Sequence, residues 1–258
     1  MKTFQGDFYK IVEKLKNNEN FSFIRFSDGE LFVLQNKELI LNSSGTTLNG
    51  SIVGQAYAKE DHKEFIPGKH EFFRKKLQDS LQFKKENYFV GISCKCCVGE
   101  ENCNLMKEMR GSDDEWLTWS NLLVNSNYPL FIKHFLPALK NKKIVFICNE
   151  NANLKNMPIN VVKDFRIGFN AMINNFDIHE EISKFIEENN IKNHVFLFSA
   201  SSLTNVTAYE LFKKHSNNTY IDIGTTLNKF MGLSIERSYL KGYWEKLQTP
   251  DLMKVCIW

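Results

Sequence analysis

The residues whose types and spacing could do chemistry begin near the amino end, in Phe21-Ser22-Phe23-Ile24-Arg25-Phe26-Ser27-Asp28-Gly29-Glu30. An apolar run stops abruptly at an acid, a glycine and a second acid. The run reads as a buried strand, and Asp28-Gly29-Glu30 as the loop at its carboxyl end. Two carboxylates separated by one residue at a sheet edge can reach the same cation. Mn²⁺ and Mg²⁺ favour such oxygen ligands and commonly share them with a substrate phosphate. Gly29 lets the backbone turn between the acids and leaves room for a ligand. Arg25 can face the same anion. Taken alone, an acid pair in a surface loop is more often a solvated turn.

A second group stands near the carboxyl end. His194-Val195-Phe196-Leu197-Phe198 reads as a strand, followed by the hydroxyl-rich stretch Ser199 to Asn205. A helix carrying Val206, Tyr209, Leu211 and Phe212 follows, then a strand from Thr219 to Gly224. Strand, loop, helix and strand make a right-handed parallel crossover. Its loop places Ser201, Ser202 and Thr204 at a helix amino terminus, a seat for a phosphate; plain helix capping is the simpler alternative.

Cysteines form the third group: Cys94, Cys96, Cys97 and Cys103. Four thiols suffice for a structural Zn²⁺ site, although adjacent Cys96 and Cys97 could share one metal only through a strained turn. Reduced thiols and a disulfide pair stay open beside it.

These groups need a scaffold. Phe8, Ile11, Val12 and Leu15 recur at helical spacing and predict a helix over 7–17. Glu38 to Leu41 is expected as a short strand, Asn42 to Gly50 as a polar loop that either closes over a ligand or merely connects its neighbours, and 52–59 as helical. Pro67-Gly68 breaks the chain before a helix over 69–83. Tyr88 to Ile92 reads as a central strand, and 94–104 as an irregular excursion. Ser112 and Glu115 form a capping box for a helix carrying Trp116, Trp119, Leu122 and Leu123; core packing suits its tryptophans better than sugar stacking. A further helix covers 128–139. Lys143 to Cys148 is a strand, Asn149 to Asn160 a polar loop after it, Val161 to Ile167 a short strand, and Asp177 to Asn189 a helix. Strands alternating with helices predict an α/β fold, Rossmann-like, with a mostly parallel sheet flanked by helices. One domain over 1–258 is expected, with a helical, cysteine-containing insertion around 94–140.

The chain has 258 residues, 43% of them hydrophobic, enough for a substantial core. A net charge of +3 gives no global drive toward nucleic acid or membrane. Lys69, Arg74, Lys75 and Lys76 cluster locally and read as a solvated helix face rather than an anion-binding patch. Met1 to Lys16 lacks the apolar core of a secretory signal. No stretch approaches the roughly 20 apolar residues of a membrane span. A cytoplasmic location is therefore expected, with oligomeric state open.

Arg25-Phe26-Ser27-Asp28-Gly29-Glu30 resembles the Arg-Phe-Gly-Asp-Gly-Glu signature of the GT-D-fold glycosyltransferases, a family first catalogued as a bacterial domain of unknown function. Asp28 and Glu30 fall on its Asp-x-Glu motif, Gly29 on its central glycine, and Arg25 on its arginine, while Ser27 replaces a glycine. Ile221-Asp222-Ile223-Gly224 resembles the ending of the family's late strand. Ala200-Ser201-Ser202 stands where the family has a Gly-Pro-type turn.

The resemblance implies a metal-dependent transfer of a hexose from a nucleoside-diphosphate sugar, UDP-glucose or a similar UDP-hexose, to a glycan or glycoprotein. It implies Asp28 and Glu30 as ligands of Mn²⁺ or Mg²⁺. Arg25 would stabilise the departing diphosphate, and Ser27, Gly29, Ser201, Ser202, Thr204 and Asp222 would line the donor site. Asp113, Asp114, Glu150 and Asp177 are candidates for a general base. Two other classes fit the acid pair: a metal-dependent phosphoesterase or nuclease, and a non-catalytic nucleotide-binding protein.

Overall fold

In the computed structural model, residues 4–54, 61–111 and 113–253 are described. Eleven strands run in chain order: β1 Ser22–Phe26, β2 Leu39–Asn42, β3 Gly45–Leu48, β4 Ser51–Gly54, β5 Lys63–Phe65, β6 Tyr88–Ile92, β7 Leu117–Trp119, β8 Ile144–Asn149, β9 Val161–Ile167, β10 Val195–Phe198 and β11 Thr219–Asp222. Seven of them form one sheet in the order β7-β6-β1-β11-β10-β8-β9, and every pairing in it is parallel.

The sequence explains that sheet directly. β6, β10 and β11 are buried along their whole length. Parallel strands covered on both faces read as continuous apolar runs, and these do. Helix α1, Phe4–Lys16, buries Phe8, Ile11, Val12 and Leu15, the predicted stripe. The helix Leu203–Lys214 crosses from β10 to β11, as the hydrophobic pattern requires.

Between α2, Asp28–Leu34, and α3, Glu71–Gln82, lies a second sheet of four antiparallel strands, β4-β3-β2-β5. It replaces two sequence expectations. The 42–50 stretch contains β3, paired along its length with β2, rather than forming a loop. The helix expected over 52–59 begins instead within β4; residues 55–60 lie outside the described residues. Thr46 and Thr47, which favour strands, explain the first difference. The small sheet is tied to the body by Asn170, whose Oδ1 accepts from the Glu64 N–H at 3.0 Å and whose Nδ2 donates to the Glu64 carbonyl at 3.2 Å.

The 94–140 stretch is not wholly helical. It holds α4, Lys95–Val98, and α5, Glu100–Arg110, where irregular chain was expected. It then supplies β7, which pairs with β6 at the sheet edge where a helix was expected; Ser112, the proposed cap, lies outside the described residues. Gly91 explains how β7 docks. A Cβ there would stand 2.9 Å from the Trp119 carbonyl oxygen. Trp119 is buried, and Trp116 packs edge-on to Phe89 at 5.1 Å, so both tryptophans serve the core. The basic cluster is a solvated helix face: Arg74 pairs with Glu71 and Lys76 with Glu210. Among the described residues, no helix is long and apolar enough to cross a membrane.

Candidate active site

The adjacent strands β10 and β8 connect onward in opposite directions, to β11 and to β9, and β1 lies beyond β11, beside β6. In open parallel sheets such a switch point opens a crevice at the carboxyl ends of the strands. A cleft of about 440 Å³ lies there. Its walls include Arg25 and Asp28 beside β1, Ser199 and Ser201 after β10, Asp222 and Gly224 at β11, and Lys63 of the small sheet. A smaller cavity of about 250 Å³ adjoins it, sharing Ser27, Asp28, Asn125 and Asp251.

The acids do not sit in a loop. Ser27 is the N-cap of α2, with extended backbone, and Glu30 is the third helical residue, completing a capping box. The signal was present as Ser27-Asp28-Gly29-Glu30 before the apolar run Leu31 to Leu34. Gly29 has no left-handed backbone angle. What it provides is space: a Cβ there would stand 3.2 Å from the Lys63 ammonium.

Residues two apart on a helix do not face each other. Asp28 is exposed to both cavities, whereas Glu30 is only 5% exposed. Glu30 Oε2 accepts from the Ser27 N–H at 2.9 Å, while Oε1 accepts from Lys63 at 3.1 Å and from the Ser202 hydroxyl. Lys63 also donates to Ser202 at 3.1 Å. Burial would raise the Glu30 pKa, but Lys63, Ser202 and the Ser27 N–H outweigh it and hold the carboxyl at about 2.

This arrangement answers whether a divalent cation fits. Asp28 fits: its carboxylate opens on the cleft, accepts from its neighbour's N–H at 3.0 Å, and forms no ion pair among the described residues. Glu30 does not fit as a shared ligand in this arrangement, because Lys63 already occupies the position of a cation beside it.

Arg25 faces Asp222 across the β1–β11 pairing, with Nε 3.2 Å from Oδ2. The contact is an ion pair without hydrogen-bond alignment, since Nε lacks a hydrogen-bond partner. Asp222 also accepts from the Gly224 N–H at 2.8 Å. Burial pushes the Asp222 pKa up, against the pull of Arg25. Gly224 is required twice over: its φ is +53°, and a Cβ there would stand 2.6 Å from Arg25 Nη2.

The other expected residues divide. Ser27, Gly29, Ser201 and Asp222 line the cleft. Ser202 and Thr204 are fully buried and line neither cavity, so in this structure they cannot touch a donor; Ser202 is committed to Glu30. Asp113, Asp114, Glu150 and Asp177 are absent from both linings, and Asp114 is tied to Arg110 at 2.9 Å. Sequence reasoning missed Lys63, Asp61, Arg237 and Asp251. Asp61 pairs with Arg237 at 2.7 Å. None carries a local motif; they reach the cleft through tertiary folding.

Cys94, Cys96 and Cys97 converge, with their sulfur atoms within 4.8 Å of one another. The adjacent pair does so on a regular helical turn, without the strain expected from sequence. Cys103 stands outside this trio, which corrects the four-cysteine site.

No family model and no curated protein sequence matches the chain. Solved structures do. A structure described as showing that the highly conserved domain of unknown function 1792 has a distinct glycosyltransferase fold superposes with a TM-score of 0.55 at 15% identity, over 97% of this chain and 83% of that one. A structure described as a new glycosyltransferase (DUF1792) from Streptococcus sanguinis gives 0.57 at 12% identity, over 97% and 86%. A further DUF1792 structure gives 0.54 at 15% identity. At such identity the likeness establishes architecture, and the chain has the GT-D glycosyltransferase fold of the DUF1792 structures.

Proposed function

We propose that this protein is a glycosyltransferase that moves a hexose from a UDP-hexose, UDP-glucose or similar, to a hydroxyl of a glycan or glycoprotein. The observation that carries this reading is the position of Asp28. It is an exposed carboxylate on a cleft at the carboxyl ends of the parallel strands, in a chain that shares its fold with glycosyltransferase structures. A phosphoesterase or nuclease would need more acids or histidines gathered around the pair. Among the described residues, the group of three or more His, Cys, Asp or Glu side chains close enough to share a metal is the cysteine trio, which contains neither acid nor histidine.

Breaking the sugar–diphosphate bond places negative charge on the leaving group. Asp28 would hold a Mn²⁺ or Mg²⁺ ion, which would neutralise that charge as a Lewis acid. Lys63 and Arg25 add fixed positive charge on the cleft wall. Glu30 holds Lys63 in place and Asp222 holds Arg25, so both cations are preorganised before a donor arrives. Ser201 and Gly224 bring backbone to the rim, where small residues permit close approach of a phosphate. Asp251 lies where the cleft meets the smaller cavity, in position to take the proton of an acceptor hydroxyl.

The test is release of UDP from a panel of UDP-hexoses with and without Mn²⁺, in the presence of acceptor glycans. Binding of the donors without turnover across the panel would favour the non-catalytic alternative.

A further inference from the structure

The smaller cavity carries a separate chemistry. We infer that Cys94, Cys96 and Cys97 form a binding site for a thiophilic cation of the Zn²⁺ class, held by three thiolates with its fourth position turned to the cavity beside Asp28. Their sulfur atoms lie within 4.8 Å of one another, and Cys94 Sγ is 2.9 Å from Cys96 Sγ. Thiolates around a tetrahedral zinc, each at about 2.3 Å from the metal, stand about 3.8 Å apart. The trio therefore needs only small side-chain adjustments to close on an ion.

Local structure builds this convergence. Cys94 is the N-cap of α4, with extended backbone at φ −77° and ψ 160°. An N-cap side chain folds back over the second and third residues of its helix. Here those residues are Cys96 and Cys97, while the intervening Lys95 is exposed. Cys94 and Cys97 line the cavity of about 250 Å³ together with Ser27, Asp28 and Ser93. The face of the trio is thus open to it, as in zinc sites that keep one position for water or a ligand. Cys103 is buried beside α4 but outside the trio, and burial pushes its thiol pKa up. Three sulfur donors select a soft cation, so this site is chemically distinct from a hard cation at Asp28.

Anaerobic titration of the reduced, metal-stripped full chain with Co²⁺ tests the site. One equivalent should bind with thiolate-to-cobalt charge-transfer absorption, and Zn²⁺ should displace it. Cys94→Ser, Cys96→Ser and Cys97→Ser should each weaken binding at least about tenfold, the minimum typical of losing even an outer-shell partner. Cys103→Ser should retain the affinity, and Asp28→Asn should retain the absorption, which separates this site from the cleft. Circular dichroism checks that each variant folds. If a serine variant unfolds, protection of wild-type thiols from a thiol reagent by one equivalent of Zn²⁺ supplies the same answer. No charge-transfer absorption in reduced wild type, or absorption surviving all three trio substitutions, would overturn the site. Neither readout depends on transferase activity.

Discussion

Lys63 Nζ stands 3.1 Å from Glu30 Oε1, so the buried acid of the Asp-x-Glu string already carries a cation supplied by the protein. Glu30 comes from helix α2 and Lys63 from β5 of the small sheet, and they are 33 residues apart in sequence. Their contact ties the small antiparallel sheet to α2 at the cleft and leaves Asp28 as the exposed acid of the string.

Breaking this pair should be costly, because either partner alone is left charged in a largely dry place. Lys63→Met and Glu30→Gln should each destabilise the protein by about 3–5 kcal/mol in urea unfolding. The double variant should lose less than the sum, with a coupling of about 1–3 kcal/mol. Additive losses would show that the contact is incidental.

The same pair sets an acid limit. The folded pKa of Glu30 is lowered to about 2 from an ordinary 4.5. Its contribution to stability is therefore complete above the unfolded value and is lost as pH falls through the folded one. Wild type should lose stability between about pH 4.5 and about pH 2 more steeply than Glu30→Gln. Parallel acid-unfolding profiles would contradict the assignment.

Gly224 leaves no room for a methyl group beside the Arg25 guanidinium, and its backbone is left-handed. Gly224→Ala should cost about 1–3 kcal/mol of stability and displace Arg25. In the transferase reading, kcat should fall more than donor affinity. Unchanged unfolding midpoint and turnover would contradict both statements.

Much of this was legible in the sequence because the central strands are apolar on both faces. Val195 to Phe198 and Tyr88 to Ile92 could hardly be anything but buried strands, and Ile11, Val12 and Leu15 could hardly face water. The misreadings have local causes. Ser27-x-x-Glu30 is a helix start, but its acids and glycine equally describe a turn, and the difference decides which carboxylate faces the cleft. Trp116, Trp119, Leu122 and Leu123 have helical spacing, yet Gly91 admits Leu117–Trp119 as an edge strand. Lys63 could not be found at all from its neighbours, since its role is created by a contact across the fold.

The most direct measurement is UDP release from a UDP-hexose by wild type and Asp28→Asn, with and without Mn²⁺, on proteins shown to share the same unfolding midpoint. Metal-stimulated turnover in wild type, reduced at least about 100-fold in Asp28→Asn, is the expected result. Equal turnover by the two proteins, or full wild-type activity in excess chelator, would contradict it.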